Sequence, residues 1–293
     1  VVVSTISTST RVLVESFLDA KIAAGLSRRT ISTYRQRLSY FTTWLGDDDI
    51  TRATLRGYLG HLQADETLSK TTVAAYFRDV SVFCSWLVDE ELLDTNPARK
   101  LAPKVPKTRP ASYRPQQIAQ LLAVCKTRDR AIIVMLLDTG LRVSELVSLR
   151  RRDIDWTSGE FTVIGKGNKP RQGWLEPETL ELLEEMIGER TDDTPALWYG
   201  RKGPLTIYGV HQVIERRALE AGIRGDVRRL VHSFRATFAK NYLRAGGDLE
   251  SLRRLLGHED IAMSAHYAQL ADDELRDRKR QVNPLRYALP AAD

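Results

Sequence analysis

Between Asn96 and Ala111 the chain reads Asn-Pro-Ala-Arg-Lys-Leu-Ala-Pro-Lys-Val-Pro-Lys-Thr-Arg-Pro-Ala, with four prolines, five basic residues and no acidic one. Proline has no backbone N–H and its ring clashes with the preceding turn, so neither a helix nor a central strand passes through this stretch. The segment predicts an extended basic linker at 96–111. It divides the 293 residues into an N-terminal domain, 1–95, and a C-terminal domain, 112–293. Each piece is long enough to bury its own core.

The N-terminal piece reads as four helices. Val12, Phe17, Leu18 and Ile22 place a first helix between Val12 and Ala24. Ser27 is an N-cap for a second, Arg28 to Leu45, which stops at Gly46. Thr51 caps a third that runs to about Gln63, and Ser69 caps a fourth from Lys70 to Glu90. Short joints between four helices predict a small bundle.

The C-terminal piece mixes periods. Helices are expected at 115–125, 129–138, 143–149, 177–188, 207–221, 233–245, 248–256 and around 262–269. Alternation from Asp153 to Ile164 about a Ser158-Gly159 turn predicts a hairpin. Phe161–Ile164 is a strand leading into Gly165-Lys-Gly-Asn-Lys-Pro170, and Arg171–Leu175 is the returning strand. The fold class expected is therefore mainly α with a small antiparallel sheet: an all-α N-terminal bundle followed by an α+β domain.

Composition narrows the function. Lys plus Arg is 44 against 38 Asp plus Glu, a net charge of +6. Beyond Lys104 the balance is 31 basic against 26 acidic residues, so most of the excess lies in the second domain. A polyanionic partner is favoured. Two cysteines, Cys84 and Cys125, give no disulfide framework and no cysteine zinc site, and both read as core. No apolar run approaches a membrane span, and the first ten residues lack the pattern of a signal peptide. A cytoplasmic protein with no membrane partner is expected. Walker-type phosphate loops and clustered carboxylates for a two-metal site are missing from the sequence, so no cofactor and no metal are expected.

Four segments carry the chemistry: Thr139-Gly-Leu-Arg-Val-Ser-Glu-Leu146, Gly165-Lys-Gly-Asn-Lys-Pro-Arg171, His232-Ser-Phe-Arg235, and Leu255-Leu-Gly-His258 with Tyr267 nine residues later. Singly, each has an ordinary structural use as a helix cap, a hairpin turn or a surface pair. Together and in this order they resemble the tyrosine recombinase (phage integrase) family, in its two-domain Xer-like architecture. The resemblance covers the whole chain. It implies that the N-terminal bundle is a SAM-like core-binding domain and that residues 112–293 form the catalytic domain. It also implies that Arg142, Lys166, His232, Arg235, His258 and the nucleophile Tyr267 are catalytic. The bundle begins within about a dozen residues of the start of the chain, so no separate arm-binding domain is expected ahead of it.

Those residue types suit DNA strand transfer. Arg142 and Arg235 offer paired donors to the non-bridging oxygens of a five-coordinate phosphorus and are expected to stabilise them most in the transition state. His258 adds a further donor. The Tyr267 phenol attacks, with His232 as base or orienting group, and Lys166 protonates the leaving 5′ oxygen. The 3′-phosphotyrosine conserves the energy of the broken bond, so rejoining needs no ATP. Glu145 is expected to orient neighbouring basic groups.

The family pattern usually has Leu before the second arginine and His after it, where this chain has Phe234 and Ala236. Glu259-Asp-Ile-Ala-Met-Ser-Ala-His266 likewise replaces the usual Ser and Thr-Thr run. These departures favour the integrase of a phage or other mobile element, acting through a Holliday junction. The alternatives are an Xer-like resolvase of chromosome or plasmid dimers, a type IB topoisomerase, and a non-catalytic DNA-binding regulator.

The expected partner is double-stranded DNA at core or attachment sites, clamped between the two domains by a tetramer. Candidate phosphate contacts are Arg28, Arg29, Arg35, Lys70 and Arg78 in the first domain, and Arg201, Lys202, Arg228 and Arg229 in the second. In the C-terminal tail, 281–293, Val282, Leu285, Tyr287 and Leu289 form a small apolar set that the resemblance docks in trans on a neighbouring subunit. Deleting 281–293 is expected to leave binding to one half-site nearly intact and to weaken cooperative filling of the second. Gel-shift titration on one and two half-sites measures this, and undiminished cooperativity would make the tail a spacer.

Overall fold

The computed structural model describes residues 9–105, 111–165, 170–200, 202–223, 227–258 and 260–265, together with Tyr267 and Lys279. It divides into two compact units, Val1–Lys107 and Thr108–Asp293. Lys166, Arg201 and the tail at 281–293 lie outside the described residues, as do 106–110 of the linker. Among the described residues no helix is long and apolar enough to cross a membrane.

The first unit is four helices: α1 (Thr10–Ala23), α2 (Arg28–Leu45), α3 (Arg52–Ala64) and α4 (Lys70–Asp89). Three starts are set by hydroxyl caps. Ser27 accepts from the Thr30 amide, Thr51 from Thr54 and Ser69 from Thr72. Phe17, Leu38, Phe41, Leu55, Tyr58, Phe77 and Phe83 are fully buried between the helices. The inward face of α1 is made by Leu13, Val14, Phe17 and Leu18, which are buried, whereas Val12 and Ile22 are exposed. The pair of adjacent residues repeated four positions on makes one stripe, and Val12 and Ile22 fall off its edge.

Residues 96–101 depart from the expected extended linker. They form a turn in which Asn96 Nδ2 donates to the Ser81 carbonyl at 3.0 Å and Ala98 is buried in the bundle core. Beside it on α4, the carboxylate of Asp79 is buried and accepts from Arg37 at 2.7 Å and from Arg78 at 3.2 Å.

The second unit opens with α5 (Pro115–Ala123), α6 (Thr127–Thr139) and α7 (Val143–Ser148), followed by a 3₁₀ turn at Arg151–Asp153. The antiparallel pair β1 (Glu160–Ile164) and β2 (Pro170–Trp174) comes next, then α8 (Pro177–Gly188). A minor ribbon, β3 (Tyr199–Gly200) with β4 (Gly203–Pro204), precedes α9 (Ile207–Glu220). The unit continues through α10 (Val227–Arg244), α11 (Leu249–Leu256) and α12 (Ile261–Ala265). Apolar α6 is the central helix, packed against α8, α9 and α10, with Ile132, Ile133, Met135 and Leu136 buried.

The hairpin expected over 153–164 shrinks to one bridge, Ile154 to Phe161. The Asp155 side chain accepts the Thr157 and Ser158 amides and folds that stretch into a turn instead. The β1–β2 pair is in register at Phe161 and Gly173. A Cβ at Gly173 would lie 2.4 Å from the Phe161 ring, so this position accommodates the aromatic only as glycine. Helix α10 starts at Val227, six residues before the expected Ser233, and α12 is described over Ile261–Ala265, with the expected end at Gln269 outside the described residues.

Removing a carboxylate that satisfies a partly buried arginine leaves a charge without its partner. Asp79→Ala is expected to destabilise the first unit by about 2–3 kcal/mol, at or below the range for a fully buried pair, because Arg37 keeps some access to water. Denaturant unfolding measures it, and a loss below about 0.5 kcal/mol would show the pair to be dispensable.

Candidate active site

Helix α11 ends in a Schellman turn. Gly257 takes the left-handed conformation (φ 61°), its amide bonds the Arg254 carbonyl, and the His258 amide bonds the Arg253 carbonyl at 3.0 Å. That leaves the carbonyls of Leu255, Leu256 and Gly257, and three arginines from three other elements take them in turn. Arg171 Nη1 on β2 donates to Leu255, Arg235 Nη2 on α10 donates to Leu256 at 2.5 Å, and Arg142 Nη2 approaches Gly257 at 3.4 Å. The negative end of a helix favours cations, so the turn itself gathers them.

A carboxylate completes the assembly. Glu145 is buried, with Oε1 2.6 Å from Arg142 Nη1 and Oε2 2.8 Å from Arg171 Nη2. Its Oε2 also accepts the Arg142 amide at 2.9 Å, which caps α7. Burial alone would raise its pKa. The Arg142 amide and the charges of Arg171 and Arg142 overcome that and hold it below the ordinary carboxylate range.

Arg235 is the deepest of the three. Its Nη1 donates to the Gly140 carbonyl at 2.6 Å and its Nη2 also lies 3.0 Å from His258 Nε2. Gly140 ends α6 in the left-handed region (φ 59°), and a Cβ there would sit 2.5 Å from the Phe238 ring. Burial, then repulsion from Arg142, lowers the Arg235 pKa to about 10, still far above neutral pH.

A guanidinium can only donate, so His258 Nε2 accepts. The His258 proton is therefore on Nδ1, which donates to Ser264 Oγ at 2.8 Å. Burial first, then the charges of Arg235, Arg142 and Arg171, depress the His258 pKa to about 4. Tyr267 follows α12 and its ring runs nearly parallel to the imidazole, 15° apart with centroids at 6.3 Å. It packs beside Ala239, Leu243, Leu252 and Leu256.

Four of the six expected catalytic residues, Arg142, Arg235, His258 and Tyr267, thus converge on one site. His232 lies on α10 three residues before Arg235 and is exposed. Arg171 and Ser264 were missed by the sequence reading. Arg171 is the last residue of the Gly165–Arg171 segment but is given no role there, and Ser264 lies in the segment that departs from the family pattern. Among the described residues, no group of three or more His, Cys, Asp or Glu could hold a metal ion.

The candidate phosphate contacts fall at two helix starts and elsewhere. Arg28 and Arg29 open α2, Lys70 opens α4, and all three are exposed. Neither helix has an acidic residue in its first turn, where the helix dipole would favour one. Arg35 pairs with Glu15 and Arg78 with the buried Asp79, and both arginines are exposed. Lys202 is exposed, and Arg228 and Arg229 lie in the first turn of α10, their side chains outside the described residues.

A model described as the phage integrase family matches residues 112–274, and one for the phage integrase N-terminal SAM-like domain matches residues 13–94. Tyrosine recombinase XerD of Proteus mirabilis is 32% identical over 296 aligned positions, covering 93% of each protein. Among solved structures, that of XerA recombinase is 26% identical, covers 94% of this chain and 99% of its own, and has a TM-score of 0.53. The Tn1549 transposon integrase in complex with a circular intermediate DNA shares the fold at 16% identity. Its TM-score is 0.78, and the match covers 94% of this chain and 100% of that one.

The depressed histidine makes stability depend on pH. The unfolded chain takes up a proton at His258 near pH 6.5, while the folded chain resists until about pH 4. Its contribution is therefore full above pH 6.5 and is lost as pH falls toward 4. The difference in melting temperature between the native protein and His258→Gln, measured across that window, is expected to shrink on acidification. A constant difference would place the imidazole in water.

Proposed function

The chain belongs to the phage integrase family of tyrosine-type site-specific recombinases, enzymes that break and rejoin DNA. From that premise we propose that its site cleaves through Tyr267 and that its biological reaction is Xer-like resolution rather than integration of a mobile element. The observation that carries the first half is the convergence of Arg142, Arg235, His258 and Tyr267 around the end of α11.

Arg142 and Arg235 hold the two non-bridging oxygens of the scissile phosphate. Their forks are fixed beforehand by Glu145 and by the carbonyls of Gly140, Leu256 and Gly257, so no reorganisation accompanies the build-up of negative charge. His258, expected from the sequence as a further donor, here accepts from Arg235 at Nε2 and donates from Nδ1 to Ser264, which braces the Arg235 fork. The Tyr267 oxygen attacks phosphorus and loses its proton, with His232, one turn before Arg235 on α10, as the candidate base. The bond to the 5′ oxygen breaks, Lys166 supplies the proton that oxygen needs, and a 3′-phosphotyrosine remains. Attack by a 5′ hydroxyl reverses these steps and releases the tyrosine.

Phosphate contacts at the basic first turns of α2 and α4 suit a duplex, because the positive end of each helix and the cations there both favour anions. Assembly of several copies on DNA and docking of the tail between them belong to the same reading. The Xer assignment rests on XerD of Proteus mirabilis matching nearly end to end. The integrase reading rests on Phe234, Ala236 and the 259–266 segment alone.

Covalent capture tests both halves. In cells producing the protein, DNA recovered attached to the native chain and missing from Tyr267→Phe would identify the nucleophile, while gel shifts show binding unchanged. Sequencing that DNA is expected to give one chromosomal or plasmid locus. Adducts from the Phe variant would overturn the nucleophile. Recovery of the two ends of an element carrying this protein's own gene would overturn the resolvase.

A further inference from the structure

Arg171 has no part in the reaction as set out so far, yet its position is unusual for a strand arginine. Its side chain is nearly buried, at 10% exposure. Nη2 binds Glu145 and Nη1 binds the Leu255 carbonyl, while Nε is buried with no hydrogen-bond partner. The stem passes so close to Gly257 that a Cβ there would lie 2.8 Å from Arg171 Cδ. It is also among the charges that depress His258 and Arg235.

The two acceptors of Arg171 belong to opposite sides of the site. Glu145, 26 residues from Arg171 in the chain, holds Arg142, and Leu255 adjoins the carbonyl that holds Arg235. We propose that Arg171 is a positioning residue for strand cleavage: its fork ties Glu145 to the end of α11 and so sets the separation of the two phosphate-binding arginines. It does not touch the phosphate. The proposal rests on Arg142 and Arg235 being the phosphate ligands.

The geometry explains why the residue is arginine. Lysine would bring the charge but one compact ammonium, which lacks the planar fork needed to serve both acceptors at once. Without the bridge, Glu145 Oε2 keeps only the Arg142 amide and the Leu255 carbonyl loses its partner. Glu145 and the α11 end would then settle independently. A displacement of about 1 Å in a reacting constellation can slow a reaction on the order of 100-fold.

The test is single-turnover formation of the covalent adduct on a nicked suicide duplex by the full chain. Arg171→Ala is expected to be slowed on the order of 10- to 100-fold, with single half-site binding within about twofold. Arg171→Lys is expected to stay within about threefold of the Ala variant. Arg171→Met, which retains most of the stem against Gly257, guards against a variant that fails to fold. Melting curves of all three check the fold.

A second substrate separates positioning from general loosening. A methylphosphonate at the scissile position removes one non-bridging charge, so it relieves the need for a well-placed Arg142. The penalties of Arg171→Ala and of Arg142→Ala should both shrink on it, by about threefold or more. An unchanged Arg171→Ala penalty, or full activity of Arg171→Lys, overturns the proposal. Arg142→Ala cleaving at the native rate overturns the phosphate-ligand reading and this proposal with it. A slow Arg142→Ala beside a fast Arg171→Ala overturns this proposal alone.

Discussion

Three consecutive backbone carbonyls, those of Leu255, Leu256 and Gly257, organise the site. The end of a helix always leaves carbonyls without intrahelical partners, and they need donors from somewhere. Here the Schellman turn uses those of Arg253 and Arg254, and arginines from β2, α10 and the start of α7 use the next three. The partial negative charge of the helix end and the full charge of Glu145 offset the repulsion among three guanidiniums. Among the described residues one carboxylate, Glu145, faces three cations, so compensation is incomplete. The surplus is what an anionic, five-coordinate phosphorus would find on arrival. After burial, which acts first on both groups, it also lowers the His258 and Arg235 pKa values.

This dependence explains the two glycines in the motifs. Gly140 must adopt a positive φ and leave room for Phe238 while its carbonyl faces Arg235. Gly257 must adopt a positive φ while Arg171 passes over it. In both places the glycine frees a carbonyl for an arginine and removes the side chain that would block it. The Thr-Gly-Leu-Arg and Leu-Gly-His boxes are thus two halves of one contact, joined through space by Arg235.

Much of this was legible in the chain and some was not. Ser27, Thr51 and Ser69 announced their helices because a cap acts within three residues. The inward face of α1 is decided by the partners of Phe17 on α2 and α4, which local spacing does not name. The start of α10 was placed late, since Val227, Arg228 and Arg229 show little apolar rhythm of their own. Arg142, Arg235, His258 and Tyr267 were named through the family's motif order, which records contacts that spacing alone does not reveal. Arg171 and Ser264 were passed over for the same reason. Arg171 meets Leu255 across 84 residues, and Ser264 was judged by its neighbours' departure from a pattern rather than by its hydroxyl.

The same device recurs in the molecule with different results. Asp79 grips Arg37 and Arg78, and buried Asp129 grips Arg128, Arg216 and Arg217. In both, a carboxylate that helix packing has buried needs cations, and arginine forks supply several bonds at once. At Asp129, burial would raise the pKa, but bonds from Arg128 and Arg217 hold the carboxyl below its usual range, much as at Glu145. What sets Glu145 apart is the second acceptor at the far end of its arginines. Arg128 donates onward to the carbonyl of Tyr199, an isolated link, whereas Arg142 and Arg171 both reach the end of α11, where Arg235 and His258 are also held. A carboxylate with arginines around it stabilises a fold. It becomes a site when those arginines share a second anchor that fixes them relative to one another, which the turn at Gly257 provides.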